Sequence, residues 1–90
     1  MITPAQCRGA RAMLQMKQQD LADQARLTRR TLALFEAETR APRHQTLQLI
    51  RQALEAMGAV FVDSDIGHGV LLARGSVDEG AGGTDASVKG

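Results

Sequence analysis

Gln18-Gln-Asp-Leu-Ala-Asp-Gln-Ala-Arg-Leu-Thr-Arg-Arg-Thr-Leu-Ala-Leu-Phe-Glu36 holds two short helical patterns divided by a tight break. Leu21, Ala22 and Ala25 recur at helical spacing, as do Leu32 and Phe35, so each segment can bury one stripe and leave its other face polar. Thr28 is placed to cap the second segment, because its hydroxyl can accept from a backbone N–H of the first turn. Arg29 and Arg30 stand just inside that cap. The positive end of the helix dipole repels them, so helix stability does not account for the pair. A polyanionic partner would.

Outward from this stretch, the chain is expected to form one small domain. Its 90 residues are 43% hydrophobic, enough for one modest core and too little for two. With no Trp or Tyr and only Phe35 and Phe61, that core must be aliphatic and alanine-rich, which suits short packed helices. Upstream, Thr3-Pro4 opens a first helix, with Gln6 at capping-box spacing and Cys7, Ala10, Met13 and Leu14 as its buried stripe. Cys7 is the only cysteine and has the pattern of a packed, reduced thiol. The second helix runs from about Gln18 to Gln24 or Ala25. Arg26 follows where a helix end favours a left-handed glycine, so either Arg26 is strained or the turn takes another course.

The third helix spans Arg29 to about Glu36, and a loop ends at Pro42. A fourth helix, from about Arg43 to Met57, carries Leu47, Ile50, Leu54 and Met57 on one stripe and stops at Gly58. The period then changes. Ala59–Asp63 and Gly69–Arg74 have the pattern of two strands, joined by a five-residue connector, Ser64 to His68. Both faces of this hairpin are apolar, and a lone hairpin is marginal in water, so Val60, Phe61, Val62, Val70, Leu71 and Leu72 are assigned to a dimer contact with a second copy. The expected organisation is a helical unit over residues 1–58, the hairpin over 59–75, and a disordered tail over 76–90.

Charge is distributed unevenly. Through Gly58, nine Lys and Arg face five Asp and Glu; from Ala59 onward, two face five. The basic excess lies with the helices, as in a nucleic-acid-binding module. No apolar run reaches membrane-spanning length and no signal-peptide pattern opens the chain, so a soluble, cytoplasmic protein with no membrane partner is expected. His44, His68 and Cys7 lie in separate elements without metal-ligand spacing. Asp63-Ser-Asp65 lacks the distal glutamate of a calcium loop, and the tail glycines do not join a strand to a helix as a phosphate loop requires. No nucleophile has an adjacent base. No metal, cofactor, small-molecule ligand or enzymatic activity is therefore expected.

A polar helix, a tight turn and a basic capped helix make a helix-turn-helix. From about Cys7 to Gly58 the chain resembles the XRE family, the group of the lambda and Cro repressors. The resemblance rests on Arg11, Gln18, Leu21-Ala22, Leu27-Thr28-Arg29-Arg30-Thr31-Leu32, Phe35-Glu36, Arg40-Ala-Pro42 and Thr46-Leu47. It implies a mainly α, lambda-repressor-like domain of four to five short helices, here with a C-terminal two-stranded β-hairpin. It further implies a homodimeric transcriptional repressor on a pseudo-palindromic duplex operator. In that frame Arg29, Arg30, Ala33 and Leu34 read bases, while Gln18, Thr28, Thr31, Arg40 and Arg43 contact the DNA backbone. Arg11 and Glu36 form a structural ion pair. The chain departs from the family pattern at Lys17, Arg26 and Ala37-Glu38, the last placing an acid near the expected phosphates. A reading from another class is an antitoxin that also binds DNA and holds a protein partner through its C-terminal tail. A third is an interaction module that has lost DNA binding.

Overall fold

The computed structural model describes residues 1–74 and contains α1 (Pro4–Leu14), α2 (Gln18–Ala25), α3 (Arg29–Glu36), α4 (His44–Ala56), β1 (Ala59–Ser64) and β2 (Gly67–Leu72). The fold is small and mostly helical, with one two-stranded antiparallel sheet. The tail expected over 76–90 lies outside the described residues.

Local chemistry sets most helix ends. Thr3 Oγ1 accepts from the Gln6 backbone N–H at 3.1 Å while Gln6 Oε1 accepts from the Thr3 N–H at 2.9 Å, a reciprocal capping box. Thr28 Oγ1 accepts from the Thr31 N–H at 3.1 Å and starts α3. At the start of α2 the Lys17 N–H donates to Asp20 at 2.9 Å, so the acid three residues on satisfies a donor although Lys17 itself cannot accept. Gly58, with φ 109°, makes the reversal from α4 into β1.

Arg26 adopts the left-handed conformation, with φ 61°, so the α2–α3 turn keeps the course that glycine favours and a residue with a Cβ takes the strain. Gln15 and Glu38 are left-handed too, at φ 58° and 60°. Replacing Arg26 with Gly is expected to raise unfolding free energy by about 0.5–1 kcal/mol, as relief of the left-handed strain outweighs the added freedom of the unfolded chain. Thermal denaturation checks this; an unchanged or lowered midpoint would show that Arg26 makes a compensating contact.

One core gathers Ile2, Cys7, Ala10, Leu14, Leu21, Ala22, Leu32, Phe35, Ile50, Leu54 and Ala59. Met13 is not in it, being 44% exposed. On a helix with Cys7, Ala10 and Leu14 at the centre of the stripe, position 13 falls about a quarter turn away, beyond the reach of the core. Ile2, ahead of the cap, takes an inside place instead. Leu47 and Met57 pack at the rim of the core, with Ile50 and Leu54 fully inside.

The hairpin is tighter than expected. Ser64 pairs with Gly67, leaving Asp65-Ile66 as a two-residue turn, and His68 lies in β2 opposite Asp63. Of the six hairpin residues assigned to a dimer contact, three find cover within the chain itself. Phe61, Val70 and Leu72 pack against the chain's own core, because α1 lies over β2 and α4 over β1. Gly9 permits this approach, since a Cβ there would stand 3.3 Å from Val70 Cγ1. Gln6, having closed its capping box, uses Nε2 to donate to the carbonyls of Val62 and Gly69 at 3.1 and 2.8 Å, pinning the hairpin to α1. Val60, Val62 and Leu71 point to the opposite face and stay 43%, 41% and 57% exposed.

Candidate nucleic-acid interface

α3 is held from beneath by apolar burial and by one buried carboxylate. Leu32 and Phe35 are enclosed, and Glu36 is only 3% exposed. Burying an ionised carboxylate is costly unless donors surround it, and four do. Arg11 Nε donates to Oε2 and Arg11 Nη2 to Oε1, both at 2.7 Å, in a bidentate fork. Gln18 Nε2 donates to Oε1 at 3.0 Å, and the Cys7 thiol donates to Oε2 at 3.1 Å. Arg11 Nη1 also donates to the Met16 carbonyl at 3.0 Å, so the same guanidinium ties α1, the α1–α2 turn and α3 together.

These contacts set the protonation states. Burial alone would raise the Glu36 pKa, but the bonds from Arg11, Gln18 and Cys7, with the Arg11 charge, hold it below the ordinary carboxylate value. Burial, followed by the bond and charge of Glu36, drives the Cys7 thiol far above its usual range. Cys7 is therefore a neutral donor, unsuited to nucleophilic or redox chemistry. The hydrogen bond from Arg11 to Glu36 raises the arginine further.

The solvent side of α3 is cationic at its start. Arg29 and Arg30 are exposed, and Arg29 Nη1 donates to Gln18 Oε1 at 3.3 Å. Because Glu36 engages the Gln18 amide nitrogen, the Gln18 oxygen faces outward and is available to the arginine. Gln18, expected at a phosphate, thus bridges the buried pair and the first residue of α3. Thr28 and Thr31 hydroxyls share a hydrogen bond of 2.9 Å beside the cap.

Further along α3, Ala33 and Leu34 are half-buried. Leu34 and Thr31 line a cleft of about 410 Å³ whose other wall is Arg40, Pro42, Arg43 and Thr46. Arg43 is the N-cap of α4 but makes no side-chain capping bond, so the first-turn N–H groups of that helix lack a side-chain acceptor. Two arginines, two threonine hydroxyls and a helix start suit an anion such as a phosphodiester. Glu38, expected to oppose such an anion, lies 3.8 Å from Arg8, whose Nη1 also donates to the Glu36 carbonyl.

The structure therefore joins Gln18 to Arg29, and Thr31 to Arg40 and Arg43, and it closes the Arg11–Glu36 pair. Sequence reasoning missed Cys7 and Gln18 as partners of Glu36, and gave no role to Arg8 or Thr46. Cys7 lies four residues before Arg11 and so on the same helix face, a spacing that could have revealed the first of these. Among the described residues no group of His, Cys, Asp and Glu could hold a metal ion, and no helix is long and apolar enough to cross a membrane. No protein-family model matches the chain, and no curated protein matches it.

Proposed function

We propose that this protein is a sequence-specific, double-stranded-DNA-binding transcriptional repressor that acts as a homodimer on a pseudo-palindromic operator, with α3 in the major groove. The observation that carries this reading is the pair Arg29 and Arg30, exposed at the start of a helix whose opposite side is fixed by Leu32, Phe35 and Glu36. Arginine suits bidentate contact with guanine O6 and N7, and a rigid helix is what makes such a contact selective. The neighbouring cleft of Thr31, Arg40, Arg43 and Thr46 provides positioning contacts that carry no sequence information. The resemblance to the XRE family over about residues 7–58 supports the same assignment and adds the repressor role.

Selection of bound sequences from random duplex DNA tests it. A defined half-site motif is expected, with affinity falling as salt rises because phosphate contacts release counterions. Arg29→Ala and Arg30→Ala are each expected to relax preference at one base position by about 1–3 kcal/mol, roughly 5- to 150-fold, with the fold unchanged. Arg43→Ala is expected to weaken all sequences alike. Base preference that survives both α3 substitutions would overturn the reading.

A further inference from the structure

The hairpin also presents an outer edge along β1. Ala73 N–H donates to the Gly58 carbonyl at 2.8 Å, which sets the phase of the ladder: pairs 60/71, 62/69 and 64/67 exchange hydrogen bonds, while 59/72, 61/70 and 63/68 turn their backbone groups outward. Gln6 agrees with this phase, since one amide nitrogen reaches both carbonyls of the Val62–Gly69 pair. Along β1 the outward N–H and C=O groups belong to Ala59, Phe61 and Asp63, and among the described residues no other strand lies beside them. Neither strand contains the lysine, proline or bulge that blunts an exposed edge.

We propose that β1 pairs with β1 of a second copy, antiparallel about a two-fold axis at Phe61, making a continuous four-stranded sheet; this deepens the homodimer reading given above. In this register the axis sets valine against valine, because Val60 and Val62 flank Phe61 and each faces the other's position in the partner. Phe61 then exchanges both backbone bonds with the partner's Phe61, and Ala59 and Asp63 exchange theirs with the partner's Asp63 and Ala59. Asp63 meets an alanine, so no like charges are opposed. Val60 falls opposite the partner's Val62 in the closer, non-hydrogen-bonded type of pair. The exposed Val60, Val62 and Leu71 of both copies merge into one apolar surface.

Cysteine pairing tests the register. A non-hydrogen-bonded antiparallel pair has Cα atoms about 4.5 Å apart, within disulfide range. Val60→Cys and Val62→Cys chains, mixed and mildly oxidised, are expected to give a reducible species of twice the 9.6 kDa chain mass, at least tenfold more than either variant alone. Buried Cys7 supplies the background, measured on the wild type. Sedimentation of the wild-type full chain without DNA is expected to show the dimer, and Asp63→Pro, which removes one outward N–H, to shift it to monomer while circular dichroism stays native. A wild-type monomer, or cross-linking no greater in the mixture than in the single variants, would overturn the proposal. A chain that cross-links as expected but selects no DNA motif keeps this interface and removes the DNA reading. An operator-binding dimer without the cross-link does the reverse.

Discussion

Glu36→Ala is expected to cost about 3–5 kcal/mol of folding stability, because it strands the half-buried Arg11 guanidinium and leaves Gln18 and Cys7 without their acceptor. A domain of this size has roughly 0.05–0.15 kcal/mol per residue in total, so the variant sits near the limit of folding. Chemical denaturation at pH 7 gives the number. Glu36→Gln keeps the volume and an acceptor, so it should fold and lose less. A double cycle with Arg11→Ala should be strongly non-additive, since either single change already breaks the pair. Additive losses would mean that the two side chains act independently.

The same carboxylate dictates an acid dependence. Its pKa is lower in the folded than in the unfolded chain, so its contribution is complete above the ordinary glutamate value, about 4.5, and is lost as pH falls through the folded value. Wild type is therefore expected to lose more stability between pH 6 and pH 3 than Glu36→Gln, which has no proton to take up at that position. Equal acid losses in the two proteins would place the titration elsewhere.

Helix starts were legible wherever one side chain decides them. Thr3 with Gln6 and Thr28 with Thr31 behave as their spacing requires, because a cap is a contact over three residues. The Arg11–Glu36 pair was legible only through the family resemblance, 25 residues being too far for local pattern. The strand ends were not legible, because Gly67 and His68 have little β preference and are drawn into the ladder by the two-residue turn. Nor was the hairpin's seat on α1. It is eased by the absence of a side chain at Gly9 and fixed by Gln6 reaching across 56 and 63 residues to two carbonyls. Periodicity shows that a strand face is apolar but not what covers it, and for Phe61, Val70 and Leu72 the cover is this chain's own helices.

Phe35→Ala is expected to cost about 3–5 kcal/mol, the range for emptying a buried phenylalanine site. Phe35 is 4% exposed and is the single aromatic residue of the fully buried core, so the short aliphatic neighbours have little reach with which to refill the space. Phe35→Leu, nearer in volume, should cost about 1–2 kcal/mol. Both changes are on α3 but on the side turned away from Arg29 and Arg30. Their effect on duplex binding should therefore follow the folded fraction: at low temperature, where Phe35→Leu remains folded, its affinity and base preference should equal wild type. Arg29→Ala should behave oppositely, with full stability and a changed base preference. Measured side by side, the two variants separate what holds the helix from what the helix presents. If Phe35→Leu alters base preference while fully folded, the packing beneath α3 also sets the angle at which its arginines meet the groove.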